Sequence, residues 1–246
     1  MAKYKNILGT GEKISLKNIE YDFVTLASHQ LRTPLSAIKW YCEILLSRRP
    51  GKLSKKQEQH LQEIYRSNDR AINLVNDLLD VSRIQEGSIH LELRPIHVEK
   101  VIEETLDNLG TLITASKIRV NFEIKSGPLP VVEADADKLK RAVTSLLSNA
   151  LKYTPAGGSI GVSLEKKSDS VLVTISDSGV GIPKAEQGRV FEKFFRSPNV
   201  IKLAPDGTGL GLFITKSLVE VMGGKIGFTS QEGQGTTFYF SLPLKS

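Results

Sequence analysis

ADKLKRAVTSLLSNALKY, residues 136–153, is the stretch on which the fold turns. Its apolar residues Leu139, Val143, Leu146, Leu147 and Ala150 recur at helical spacing and form one face. Ser145, Asn149 and Lys152 recur at i, i+4 and i+7 and share another. The first face needs a partner layer to cover it. The second carries an amide oxygen able to bind a hard cation and an ammonium able to meet phosphate. Three polar residues alone read as a solvated face, so the flanking segments decide.

Downstream, strands alternate with helical stretches. VNFEIK (120–125), SIGVSL (159–164), VLVTIS (171–176) and TFYFSL (237–242) have the period of two that marks half-buried strands. Helical patterns cover 98–115, 136–153 and 209–222. Interleaved strands and helices with adjacent antiparallel strands imply an α/β sandwich. DSGVGIP (177–183) ends a β-branched strand with Asp177, and Gly179 and Gly181 clear side chains from the adjoining turn. The Asp177 carboxylate is a pure acceptor, and an adenine amino group is a pure donor. GTGLGL (207–212) opens the helix LFITKSLVEVM, whose first N–H groups suit phosphate. Between the glycine segments lie FEKFFRS (191–197) and SPNVIKLAPD (197–206), read as an irregular lid. Its phenylalanines would pin the stem, and Arg196 could reach phosphate.

Upstream the texture is purely helical. A pattern from about Ser15 to Arg48 places Phe23, Leu26 or Ala27, Leu31, Leu35, Ile38, Cys42 and Leu45 on one stripe, broken by Pro50 and Gly51. A second, from about Ser54 to Gln85, carries Leu61, Ile64, Asn68, Ile72, Val75, Leu79 and Val81, and Gly87 closes it. One hairpin buries two apolar stripes poorly, whereas two hairpins make a four-helix bundle. A homodimer built on residues 15–86 is therefore expected. The organisation expected is a leader at 1–14, a helical hairpin at 15–86, a linker at 87–94 and an α/β domain at 95–246. Inside the first helix, SHQLRTPL (28–35) sets His29 and Gln30 one turn before Pro34, which loses a helical hydrogen bond.

Bulk properties narrow the classes. The 246 residues carry 33 basic and 27 acidic side chains, a net +6 spread along the chain, and 40% are apolar. The densest basic run, SRRPGKLSKK (47–56), has no aromatics to stack on bases, so a solvated turn is the better reading and no nucleic-acid partner is expected. A single cysteine, Cys42, excludes an internal disulfide. No apolar run reaches the roughly 18 residues of a membrane span, and MAKYKNILGTGEK lacks a signal-peptide core. The expectation is a cytoplasmic chain without membrane contact of its own, standing alone or as the cytoplasmic part of a larger sensor.

Taken together and in this order, the segments resemble the sensor histidine kinases of two-component systems. LLSNALKYT looks like the N box of the Bergerat-type (GHKL) ATP-binding domain. DSGVGIP and GTGLGL look like its glycine boxes, FEKFF its F box and GQGTTFYFSLP its closing strand. SHQLRTPL looks like the H box of the dimerisation and phosphoacceptor domain. The resemblance covers about residues 20–244. It implies an ATP-dependent protein kinase that phosphorylates His29 and passes the phosphoryl group to an aspartate on a response regulator receiver domain. By the same analogy Asp177 receives the adenine amino group. Asn149 holds Mg²⁺ against the ATP phosphates, Lys152 contacts phosphate, and Tyr153 flanks the nucleotide. Gly179 and Gly181 line the first glycine turn. Arg196, Gly207, Thr208, Gly209, Leu210 and Gly211 belong to the lid and its hinge.

Two positions depart from the family pattern. Gln30 stands where a carboxylate usually follows the histidine. An amide orients the ring but is no useful base, so slower autophosphorylation is expected. Thr33, one turn after His29, matches the residue that orients water in regulator dephosphorylation, so phosphatase activity is expected to persist. Ser145 stands four residues before Asn149, where kinases carry Asn and the related hydrolysing ATPases carry Glu. Serine cannot serve as that base, which argues against a gyrase-type ATPase. A phosphatase-biased or pseudokinase scaffold that binds ATP and a regulator is the competing reading.

Overall fold

The computed structural model describes the backbone of residues 11–47, 51–203 and 207–244, and within these the side chains from residue 26 onward except 29 and 202. The expected leader over its first ten residues, the Phe23 core position, Arg48 and Pro50 lie outside the described residues, as does the side chain of His29. Contacts divide the chain into two compact units that part between Ser88 and Ile89.

The first unit is a helical hairpin. Helix α1 spans Gly11–Leu46 and runs through Pro34. Helix α2 spans Lys55–Gln85. Ser54 starts α2 with a reciprocal capping box, since its hydroxyl accepts from Gln57 N and the Gln57 side chain accepts from Ser54 N. Gly87, at φ +63°, ends it in the left-handed conformation that glycine tolerates best. Ser28, Cys42, Asn68, Val75 and Leu79 are buried between the helices. Polar ties hold the antiparallel register. Arg32 donates to Asn76 Oδ1 (2.9 Å), Lys39 pairs with Asp69 (2.6 Å), and Tyr65 donates to Glu43 (3.2 Å). Asn68 donates to the carbonyl of Leu35 at 2.8 Å, directly after Pro34.

The second unit is a two-layer sandwich. Its elements are β1 (Arg94–Ile96), α3 (Val98–Asn108), α4 (Gly110–Ser116), β2 (Arg119–Ile124), β3 (Val132–Ala134) and α5 (Ala136–Tyr153). They continue with β4 (Ser159–Lys166), β5 (Ser170–Asp177), α6 (Pro198–Leu203), α7 (Gly211–Val221), β6 (Lys225–Gln231) and β7 (Gly235–Pro243). The main sheet has the order β2-β4-β5-β7-β6, with only β2 and β4 parallel, and β1 pairs with β3 apart from it. Alternation does the work expected of it. Val171, Val173 and Ile175 point inward from β5, facing Phe238, Phe240 and Leu242 of β7 in register. Helices α3, α5 and α7 cover that apolar face through Ile102, Leu139, Val143, Leu146, Leu147 and Val219.

The structure differs from the sequence reading in four places. The helix expected over 98–115 is broken at Leu109 into α3 and α4. Strands β1, β3 and β6 were not expected. The lid contains the short α6 and is preceded by a 3₁₀ turn at Lys184–Arg189, so the stretch between the glycine segments is not wholly irregular. Finally, part of the expected 87–94 linker is built into the second unit. Leu91 packs on its core, Glu92 N–H is bonded to Asp135, and Arg94 begins β1.

Candidate active site

Helix α5 is the platform. Asp135 caps its start, accepting from Asp137 N and Lys138 N at 3.1 Å each. Leu139, Ala142, Val143, Leu146, Leu147, Ala150 and Leu151 anchor it on the sheet. This burial leaves Ser145 and Asn149 half-buried and Lys152 exposed on the opposite face, as the i, i+4, i+7 spacing requires. Neither Ser145 nor Asn149 makes a side-chain hydrogen bond to a described residue.

Asp177 ends β5 and turns one carboxylate oxygen inward. Its Oδ1 accepts from Gly179 N (2.8 Å) and Thr236 N (3.3 Å). Its Oδ2 makes no hydrogen bond to a described residue, so it remains an acceptor for a ligand's N–H. Burial pushes this carboxyl above the ordinary aspartate range, and the two N–H groups only partly offset it. The turn beyond it is tight. A Cβ on Gly179 would lie 2.6 Å from both Asp177 Oδ1 and Tyr153 O, and Val180 N donates to Tyr153 O at 3.2 Å. The glycine thus closes the end of α5 onto the Asp177 corner and joins Tyr153 to it. Burial raises the Tyr153 hydroxyl, while the nearby Arg196 charge pulls it down.

Gly181 does something else. At φ +64°, its Cβ would stand 2.0 Å from Gln231 O, so it serves the backbone approach to β6. Sequence reasoning gave no role to Gly235 and Thr236. A Cβ on Gly235 would lie 1.9 Å from Asp177 O. The available signal was GQGTT directly before the alternation of β7.

The glycine segment 207–211 brings the cations together. The Cβ position of Gly207 lies 3.2 Å from both Lys152 Nζ and Arg196 Cζ. Gly209, at φ +71°, sits on the backbone of Phe194, its Cβ position 2.7 Å from the Phe194 carbonyl carbon. Thr208 Oγ1 accepts from Leu210 N at 3.2 Å, and Leu210 is fully buried. Gly211 opens α7 with its Cβ position 3.1 Å from Ser145 Oγ. Among the described residues no side chain caps α7, whose first amides suit an anion. Only Phe191 pins the stem deeply, edge-on to Phe228 (5.8 Å) and Phe238 (6.4 Å). Phe195 lies beneath Arg189 at 4.5 Å, and Phe194 is 60% exposed with φ +61°.

Among the described residues no group of three or more His, Cys, Asp or Glu side chains is placed to hold a metal. The donor set fits a hard cation brought in with a polyphosphate, with Asn149 offering the protein oxygen. On α1, Gln30, Thr33 and Pro34 are exposed and position 29 is helical. Among the described residues no helix is long and apolar enough to cross a membrane.

Two family descriptions match the chain in consecutive segments. "His Kinase A (phospho-acceptor) domain" matches residues 20–87, and "Histidine kinase-, DNA gyrase B-, and HSP90-like ATPase" matches residues 134–246. A mycobacterial sensor histidine kinase, MprB, is 32% identical in its solved structure, with a TM-score of 0.52 over 61% of this chain and 97% of that one. The chain belongs to the sensor histidine kinase family. This histidine kinase is also similar to full-length ShkA solved in complex with AMPPNP, with a TM-score of 0.75 and 28% identity over 92% of this chain and 46% of that one. Among curated proteins it is 34% identical to the circadian input-output histidine kinase CikA of Synechococcus elongatus, over 90% of this chain. The histidine kinase chain spans 30% of the length of CikA.

Proposed function

We propose that the chain is an ATP-dependent protein-histidine kinase that phosphorylates His29 and transfers the phosphoryl group to an aspartate of a response regulator receiver domain. The observation that carries this reading is the convergence of Lys152, Arg196 and Gly207 beside the start of α7, in the unit where Asp177 Oδ2 accepts no hydrogen bond from a described residue. Asp177 Oδ2 accepts from the adenine amino group. Tyr153 flanks the base. Lys152, Arg196 and the first amides of α7 hold the phosphate oxygens, Gly207 keeps a side chain out of their path, and Gly209 and Gly211 let the hinge approach Phe194 and Ser145. Asn149 would hold Mg²⁺, which supplies neutralisation of the phosphate charge. Positioning and electrostatics of this kind are most of what phosphoryl transfer asks of a protein.

In the kinase step an imidazole nitrogen of His29 forms the new bond to the γ-phosphorus, the bond to the ADP oxygen breaks, and the ring releases a proton. Gln30 orients the ring without taking that proton. In the reverse role Thr33, one helical turn on, positions water against the regulator's acyl phosphate. The hairpin pairs with a second copy to complete a four-helix bundle. The test is incubation with γ-labelled ATP and Mg²⁺, with His29→Ala alongside. Acid-labile, alkali-stable label in the wild type and none in the variant is expected. ATP binding without label would refute the kinase reading in favour of a regulator-binding phosphatase.

A further inference from the structure

Asp135 is 5% exposed, and its two oxygens serve different masters. Oδ1 caps α5, while Oδ2 accepts from the backbone N–H of Glu92 at 3.0 Å, 43 residues upstream. Burial pushes its carboxyl up. The N–H groups of Glu92, Lys138 and Asp137 and the Lys138 charge outweigh this and hold it below the ordinary range. The chain just before Glu92 is tied at the other side. Ser88 N donates to Arg83 O at 2.9 Å, and its hydroxyl lies 3.1 Å from Glu86 Oε2, so Ser88 belongs to the end of α2. Leu91 packs on the core of the second unit. Only Ile89 and His90 stand between chain fastened to one unit and chain fastened to the other.

We propose that Asp135 is a positioning residue for autophosphorylation: by fastening Glu92 N–H, its Oδ2 keeps the adjoining Leu91 seated on the core and so holds the joint between the histidine-bearing hairpin and the nucleotide-binding unit to Ile89–His90. The inference rests on the kinase reading above. The joint is thereby fastened to the helix whose far end carries Asn149 and Lys152. The register of Arg32 with Asn76 and Lys39 with Asp69 puts residue 29 beside Leu79, about two turns before α2 ends. Each residue released at the joint adds about 3.3–3.6 Å of reach. One released residue is more than a third of the roughly 9 Å along α2 between the level of residue 29 and the helix end. Beyond the length that just spans two sites, a longer tether lowers the effective concentration of one group at the other.

Asp135→Asn and Asp135→Ser separate the two duties. Asn and Ser both cap helices well. Asn, however, presents an NH₂ donor where Glu92 N–H needs an acceptor, and Ser has one oxygen only. Three quantities are measured in the full chain: amide exchange at Glu92, Kd for ATP, and autophosphorylation at saturating ATP. Expected are faster exchange at Glu92, a Kd within about twofold of wild type, and autophosphorylation lowered about fivefold or more in both variants. Unchanged phosphorylation despite faster exchange would overturn the proposal, as would unchanged exchange. ATP affinity falling in step with the rate would reduce Asp135 to a structural cap and overturn it too. A wild type that binds ATP without taking label overturns the kinase reading and this inference together. A labelled wild type matched by its variants overturns the inference alone.

Discussion

Asp177 carries two obligations that pull against each other. In the proposed role, accepting from an adenine amino group is strongest when the carboxylate is ionised, yet burial favours its protonated form. Its folded pKa lies above the unfolded value, so the folded state binds the proton more tightly. Stability is therefore lost as pH rises from the unfolded value through the folded one. Asp177→Asn should raise Tm at neutral pH while weakening ATP by about 10- to 100-fold, the worth of a hydrogen bond to a charged group. Calorimetry and nucleotide titration on one preparation check both. In the wild type, affinity for ATP should begin to fall at a pH above the ordinary aspartate range as the solution is acidified, a dependence the Asn variant lacks. Gln30 is the converse case, a neutral residue where charge would help. Gln30→Glu supplies a base beside His29 and should speed autophosphorylation by about tenfold or more. Rate at saturating ATP measures it, and no gain would mean the ring needs no base.

At the scale of elements, the lid is closed at its stem by two left-handed residues in contact. Gly209 adopts φ +71° at no steric cost, whereas Phe194 holds φ +61° with a side chain that is 60% exposed. Gly209→Ala sets a methyl against the Phe194 backbone and forces a left-handed alanine, costing about 1–2 kcal/mol before the clash is counted. Tm of the ATP-binding unit should fall and Kd for ATP should rise. Phe194→Gly relieves the left-handed conformation and gives up little buried area, so thermal unfolding should show no loss of stability. The elements that were legible in the sequence are those whose own residues specify them. The stripe of α5 and the alternation of β4, β5 and β7 announce a buried face. β1 and β3 are three residues each, too short for a period to show, and they pair with one another just beyond the Glu92 N–H to Asp135 bond. β6 hides because Gly227 interrupts its alternation, and the reason for the glycine lies on another strand. The ring of Tyr239 occupies the space, with its hydroxyl 2.7 Å from where a Cβ would be. The site was legible in the same measure. The shared face of Ser145, Asn149 and Lys152 follows from spacing and the place of Asp177 from the end of its strand, while roles for them came only with the family resemblance; the Thr236 N–H on Asp177 and the meeting of Lys152 with Arg196 at Gly207 are products of the fold.

At the scale of the whole molecule, the hairpin leaves apolar surface that its own two helices do not use. Leu31, Ile38 and Leu45 recur every seven residues along α1 and are 51%, 42% and 37% exposed, while Ser28, Leu35 and Cys42 face α2. Ile64 and Leu74 of α2 are likewise 49% and 39% exposed. A seven-residue repeat is the pattern by which helices pack side by side, so the surface fits a second hairpin and a four-helix bundle. Ile38→Asp places a charge at the centre of that stripe, where burying it unpaired would cost several kcal/mol. Light scattering should show a dimer in the wild type and a monomer in the variant. The variant's second unit should bind ATP as before, since its core and its site draw on residues after Ile89 alone. Its His29 phosphorylation then reads the geometry of transfer. Label that persists in the monomer means that phosphate moves within one chain, and label that vanishes while ATP still binds means that each histidine is served by the partner.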